Sequence, residues 1–285
     1  MMNTILVPTD FSDTSLHAGR YALDLAKKIK AAKVILYHTY SVPAPVNYGI
    51  IPAEPVLLNE ELIDFESLLS VAEDGLKRLE NELKPYCPSD VKIELLAKYG
   101  FLTEDIKSTQ KAVGADIIVM SITGGGIFTE NIIGSDALIV ARQASVPVII
   151  LPPKGLYKSI NQILLVSDFE DVQASVPTGH IKSVLNATGA SLKILHLLKD
   201  NSQAYVESSE ERFLFEELFQ GFDLKFHFAY ALNFADGINS FADENEMDLV
   251  VIIPKKHSLL ESIFVRSHTK ELAFHSHIPV MVVHS

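Results

Sequence analysis

Short, wholly apolar runs alternate along this chain with longer stretches in which apolar residues recur every three or four positions. Runs of the first kind are Thr4 to Pro8 (TILVP), Val34 to His38 (VILYH), Ile117 to Met120 and Pro147 to Leu151, while Val91 to Ala97 alternate. A strand buried on both faces of a parallel sheet reads this way. Between the runs, Ser12 or Asp13 can cap a helix whose inner stripe is Ala18, Tyr21, Ala22, Leu25, Ala26 and Ile29. A long amphipathic helix is predicted from Asn59 to Leu83, a shorter one from Thr103 to near Gly114, and one capped by Ser135 and Asp136 that carries Ala137, Leu138, Val140, Ala141 and Ala144. Strands and helices taken in turn imply a doubly wound parallel α/β sheet with helices on both faces.

The strand ending at Met120 empties into a glycine loop, Ser121 to Gly126, before the helix that opens at Ser135. Such a loop brings backbone N–H groups and a helix N-terminus to the carboxyl end of a parallel sheet, where an anion such as a phosphate is held. No lysine follows the glycines as a P-loop requires, and the spacing is not that of a dinucleotide fingerprint. The same residues also suit a bare turn, with Gly124 to Gly126 reversing the chain and Ser135 and Asp136 only capping the helix.

After Pro152 and Pro153 the pattern starts again. ILVPTDFSD at Ile5 to Asp13 recurs as ILLVSDFED at Ile163 to Asp171, and VILYH recurs as LKILH at Leu192 to His196. The distance from Asp116 to Pro147 equals that from Asp248 to Pro279, which argues for duplication. Two domains are expected, 1–153 and 160–285, joined by a short linker.

With 285 residues of which 48% are hydrophobic, the chain can bury a core in each of two such domains. A formal net charge of −12 disfavours nucleic acid and anionic membrane as partners. One cysteine, Cys87, excludes an intrachain disulfide. The N-terminus lacks the features of a secretory signal, and no apolar run approaches the roughly 18 residues that span a bilayer, so a cytoplasmic protein is expected.

The opening ILVPTDFS, the strand-end His38 followed by Thr39, and the closing loop, helix and proline-led strand together resemble the universal stress protein family in its tandem form, over nearly the whole chain. The resemblance implies two five-stranded sheets of the adenine nucleotide alpha hydrolase-like type. It also implies that they pair as an internal pseudo-dimer through Val148 to Leu151 and Val280 to His284, with further homodimerisation of chains open. Nucleotide-binding members look like Gly-x2-Gly-x9-Gly-Ser in the final loop, and the corresponding positions here are Ser121, Gly124, Gly134 and Ser135. The resemblance further implies that Pro8, Thr9, Asp10 and Thr39 line the adenosine end, Asp10 accepting from ribose or ordering a metal and water. Gly124, Gly134, Ser135 and the N–H of Asp136 would then face the phosphates of ATP, with Mg²⁺. Ser121 departs from the pattern by adding a side chain where backbone approaches phosphate.

In the second half, Ile253, Lys256, Arg266 and Ser267 stand at the motif positions, so all three glycines are missing and Pro254 stiffens the loop. An ATP site is therefore expected in the first domain only. Lys255, Lys256, His257, Arg266, His268 and Lys270 form a basic cluster there, read as a solvated loop or as an anion or partner contact. The nearby His275 and His277 lack zinc-type spacing. His38 and His196 read as satisfied strand-end histidines rather than bases. No nucleophile elbow, Ser-His-Asp order or carboxylate pair appears, so no dedicated enzyme is expected. Three functions stay open: a stress-response module that senses nucleotide, a nucleotide-independent module for protein partners not identified by sequence, and a weak ATPase acting in the first domain.

Overall fold

The computed structural model describes residues 2–42, 64–122, 135–152, 158–198, 210–254 and 278–284. In the first half, β1 (Thr4–Pro8), α1 (Asp13–Ile29), β2 (Lys33–Tyr40), α2 (Phe65–Leu83), β3 (Lys92–Tyr99), α3 (Leu102–Val113), β4 (Ile117–Ser121), α4 (Ser135–Gln143) and β5 (Val148–Leu151) follow one another. The second half contributes β6 (Gln162–Val166), α5 (Val172–Ser175), α6 (Thr178–Thr188), β7 (Ser191–Leu198), α7 (Glu210–Leu218), β8 (Leu224–Tyr230), α8 (Phe234–Glu244), β9 (Leu249–Ile252) and β10 (Val280–Val282).

The strand and helix expectations hold with shifted ends. The Asp64 side chain accepts from the N–H of Ser67 as the N-cap of α2, which begins at Phe65; the expected start at Asn59 lies outside the described residues. The strand read as ending at Met120 continues through Ser121, which pairs with Leu151. α3 stops where Gly114 takes φ 65 and returns its N–H to Gln110 and Lys111, a left-handed cap that favours glycine.

The strands join in one ten-stranded sheet ordered β3-β2-β1-β4-β5-β10-β9-β6-β7-β8. Each half repeats the order of the other, and the expected two five-stranded sheets are continuous. Their junction is antiparallel: Val148, Ile149 and Ile150 face Val282, Met281 and Val280. The other strand pairs among the described residues are parallel. This is the pairing of last strands that the family resemblance implied.

Side-chain alternation along the strands divides the core. Ile5, Val7, Ile117, Val119, Ile163, Leu165, Leu249 and Val251 enter one cluster that runs through both halves beneath α1, α2 and α6. Leu6, Ile118, Met120 and Ile150 face the other way and pack with α3 and α4 in a cluster that also takes Val282 from β10. Leu164, Val166, Val250 and Ile252 pack with α8.

Candidate functional site

β1 and its two neighbours end side by side. Pro8 lies opposite Tyr37 of β2, and on the other flank Leu6 lies opposite Ile118 of β4. Thr9, Thr39 and Ser121 therefore come to one rim at the carboxyl end of the sheet, with Pro8 just inside it. Pro8, Thr9 and Ser121 are buried and Thr39 is half-buried. α4 opens at Ser135 and carries Asp136 in its first turn, and its place after β4 in the winding puts its N-terminus at the same end. Gly124 and Gly134 lie outside the described residues, as do the basic cluster 255–270 and His275 and His277.

Hydrogen bonds fix the turn that leaves β1. The N–H of Thr9 donates to the carbonyl of Tyr37 at 2.8 Å. The N–H of Phe11 donates to Thr9 Oγ1 at 3.0 Å, and Phe11 takes φ 65. Nδ1 of His38 lies 2.8 Å from the carbonyl oxygen of Thr9. A carbonyl only accepts, so that nitrogen carries the proton. His38 is an orienting group at the strand end, as its sequence context suggested.

Asp10 sits at the centre. Its Oδ1 accepts from the N–H of Ser12 at 3.1 Å, from Ser12 Oγ at 2.5 Å and from Ser15 Oγ. Burial alone would raise the carboxyl pKa, but the hydroxyls of Ser12 and Ser15 outweigh it and hold Asp10 below its ordinary value. Asp10 is thus ionised near neutrality, with Oδ1 satisfied inside its own helix start. Its Oδ2 accepts no hydrogen bond from the described residues, and the residue is exposed. An ionised oxygen of this kind can take a ligand hydroxyl or a hard cation. In the sequence Ser12 reads only as a cap candidate and Ser15 does not stand out; their spacing after Asp10 in DFSDTS is the signal that could have found them.

The second half keeps the turn and loses the acceptor's surroundings. The N–H of Phe169 donates to Ser167 Oγ at 3.1 Å and Nδ1 of His196 lies 3.0 Å from the carbonyl of Ser167. Glu170 and Gln173 stand where Ser12 and Ser15 do in the repeat, so the two serine hydroxyls have no counterpart, and Asp168 accepts the N–H of Glu170. Glu211 of α7 reaches over to accept the N–H of Val172 at 2.9 Å. Phe169 is buried against Phe215, Phe226 and Phe228.

The family model described as the universal stress protein family matches residues 1–152 and 227–284. The chain belongs to the universal stress protein family. The unmatched interval, 153–226, covers β6, β7, α7 and the broken helix between the two strands. Among curated relatives, a universal stress protein of Methanocaldococcus jannaschii is 31% identical over 147 residues, which are 52% of this chain and 80% of the relative. Among solved structures, a universal stress protein from Archaeoglobus fulgidus superposes with a TM-score of 0.68 at 19% identity, over 100% of this chain and 97% of that one. A functionally unknown protein from Pseudomonas aeruginosa gives 0.58 at 16% identity, over 99% and 92%. These two likenesses support the tandem stress-protein fold across both halves. No described helix is long and apolar enough to cross a membrane.

Proposed function

We propose that this universal stress protein is a cytoplasmic regulatory module that binds ATP with Mg²⁺ in its first domain, 1–153, while the domain 160–285 is a companion without a nucleotide site. The observation that carries this reading is the Asp10 carboxylate, ionised and, among the described residues, hydrogen-bonded through Oδ1 alone, on the rim shared with Thr9, Thr39 and Ser121. Oδ2 suits a ribose hydroxyl, or Mg²⁺ directly or through water, since carboxylate oxygen is the donor such a hard cation prefers. Pro8, Thr9 and Thr39 would flank the nucleoside. Gly124, Gly134, Ser135 and the Asp136 N–H would receive the phosphates through backbone donors and the α4 dipole.

A second reading, a nucleotide-independent module for protein partners, is favoured by one specific feature. No Lys, Arg or His occurs between Ser121 and Ala141, and Ser121 occupies the first motif position with its side chain. Calorimetric titration with ATP and Mg²⁺ separates the two. Saturable heat that disappears in Asp10→Asn and in Gly124→Glu supports the nucleotide site; ligand at a hundred times its Kd should also stabilise the fold by about 2.7 kcal/mol. Absence of heat and of a thermal shift at millimolar ATP refutes it. Phosphate release measured on the same samples tests the weak ATPase alternative.

A further inference from the structure

Phe11 holds a backbone conformation that ordinary side chains avoid. Its φ of 65 lies in the left-handed region, which costs a residue with a Cβ about 1–2 kcal/mol. Such a position persists only where its surroundings over-determine it. The ring supplies the restraint: it lies 4.2 Å from the His38 ring, centroid to centroid, at 35°. Its tip enters α2 at Gly75, where a Cβ would stand 2.6 Å from Phe11 Cζ and 2.7 Å from Cε2. A missing side chain on α2 is therefore the space that the ring fills. Meanwhile 37% of Phe11 remains exposed, so general burial alone does not hold it.

The second half shows the same turn held differently. Phe169 has φ 56 and repeats the hydrogen bonds of Phe11 to Ser167 and, through the Ser167 carbonyl, to His196. Its ring is only 6% exposed and packs 5.1 Å from Phe215 on α7, the helix that corresponds to α2. One copy uses a large aromatic core, and the other a single notch beside one histidine. The residues just after the turn differ too, because the serines that meet Asp10 are replaced by Glu170 and Gln173.

We propose that Phe11, seated in the Gly75 notch of α2 and packed against His38, is a positioning residue that holds Ser12 and Ser15 on Asp10 Oδ1 and so aims Oδ2 outward. The inference rests on the proposed nucleotide role for its consequence: the notch ties the ligand-facing oxygen to α2, and a single methyl group on α2 should loosen it. The latch itself is read without a ligand.

The test is amide hydrogen exchange followed by NMR at Ser12, whose N–H donates to Asp10 Oδ1, in the full chain, comparing the parent with Gly75→Ala and Phe11→Gly. Alanine is the better helix former, so Gly75→Ala should fold while its Cβ displaces the ring. Phe11→Gly removes the ring and relieves the left-handed strain, which guards against simple misfolding. The expected result is that the Ser12 amide exchanges faster in both variants, as the serine donors disengage, while the Asn3 and Thr4 amides held by Asp116 are unchanged. Equal Ser12 exchange rates in the parent and in folded variants would overturn the proposal. Nucleotide titration on the same proteins is the second arm: a parent that binds ATP should lose at least about tenfold in affinity in both variants. If the parent binds none, the nucleotide reading falls, and the Ser12 exchange still decides the latch.

Discussion

Asp116 and Asp248 do the same work in the two copies. Asp116 Oδ2 accepts the N–H groups of Asn3 at 2.7 Å and Thr4 at 3.0 Å, and Asp248 Oδ2 accepts those of Asn161 at 2.8 Å and Gln162 at 3.0 Å. Each ties the start of one strand to the start of its neighbour, which explains why both aspartates mark the repeat. Asp116→Ala leaves these donors without their acceptor and should destabilise the fold by about 1–3 kcal/mol, read from the shift in urea midpoint. Asp10 carries a pH signature of its own. A depressed folded-state pKa contributes stability that is fully present above the unfolded-state value and is lost as pH falls through the folded one. The stability difference between the parent and Asp10→Asn, followed by denaturant titration, should therefore shrink on acidification below the usual aspartate range; a difference constant with pH would contradict the serine-stabilised carboxylate. At this scale the sequence disclosed Asp10 and offered Ser12 as a cap, but neither Ser15 nor the geometry, because which oxygen of Asp10 stays available depends on a turn set by His38 and α2.

Helix ends in this chain show how one backbone requirement meets different residues. α1 ends on Lys30 at φ 57 and α3 on Gly114 at φ 65. A Cβ at Gly114 would meet nothing within 4 Å, so a substitution there is opposed by conformation alone. Gly114→Ala should lower stability by about 1 kcal/mol, and Lys30→Gly should raise it by a few tenths to about 1 kcal/mol, both measurable by thermal unfolding. Equal signs would mean that cap conformation is not what limits these helices. The second copy of α1 is interrupted: α5 stops at Ser175, Val176 is extended, and α6 starts after Pro177, as a residue before proline is pushed out of the helical region. Pro177 is visible in the sequence, yet the repeat pattern alone does not reveal that it divides this helix.

For the whole molecule the consequential contact is the antiparallel seam. β10 of the second half pairs with β5 of the first, Val282 enters the core beneath α4, and one cluster passes through both halves. A core shared in this way predicts one cooperative transition for the two halves. Calorimetry should give a single peak whose van't Hoff and calorimetric enthalpies agree, and Met281→Asp, which places a charge in the seam, should lower that one transition rather than uncouple a second. Two resolved peaks in the parent would contradict it.

By itself the sequence determined the kind and order of the elements and their duplication, because strand and helix periodicities, caps and matched motifs are written in neighbouring residues. The family resemblance named Pro8, Thr9, Asp10, Thr39 and Ser121 as candidates, and the apolar runs placed them at or just beyond strand ends. Only the tertiary structure decided that the two five-stranded units form one sheet, that Ser12 and Ser15 take one oxygen of Asp10, and that Phe11 fits a gap in α2. Those features join residues distant along the chain, through a seam, a turn and a notch whose complementarity no local pattern records.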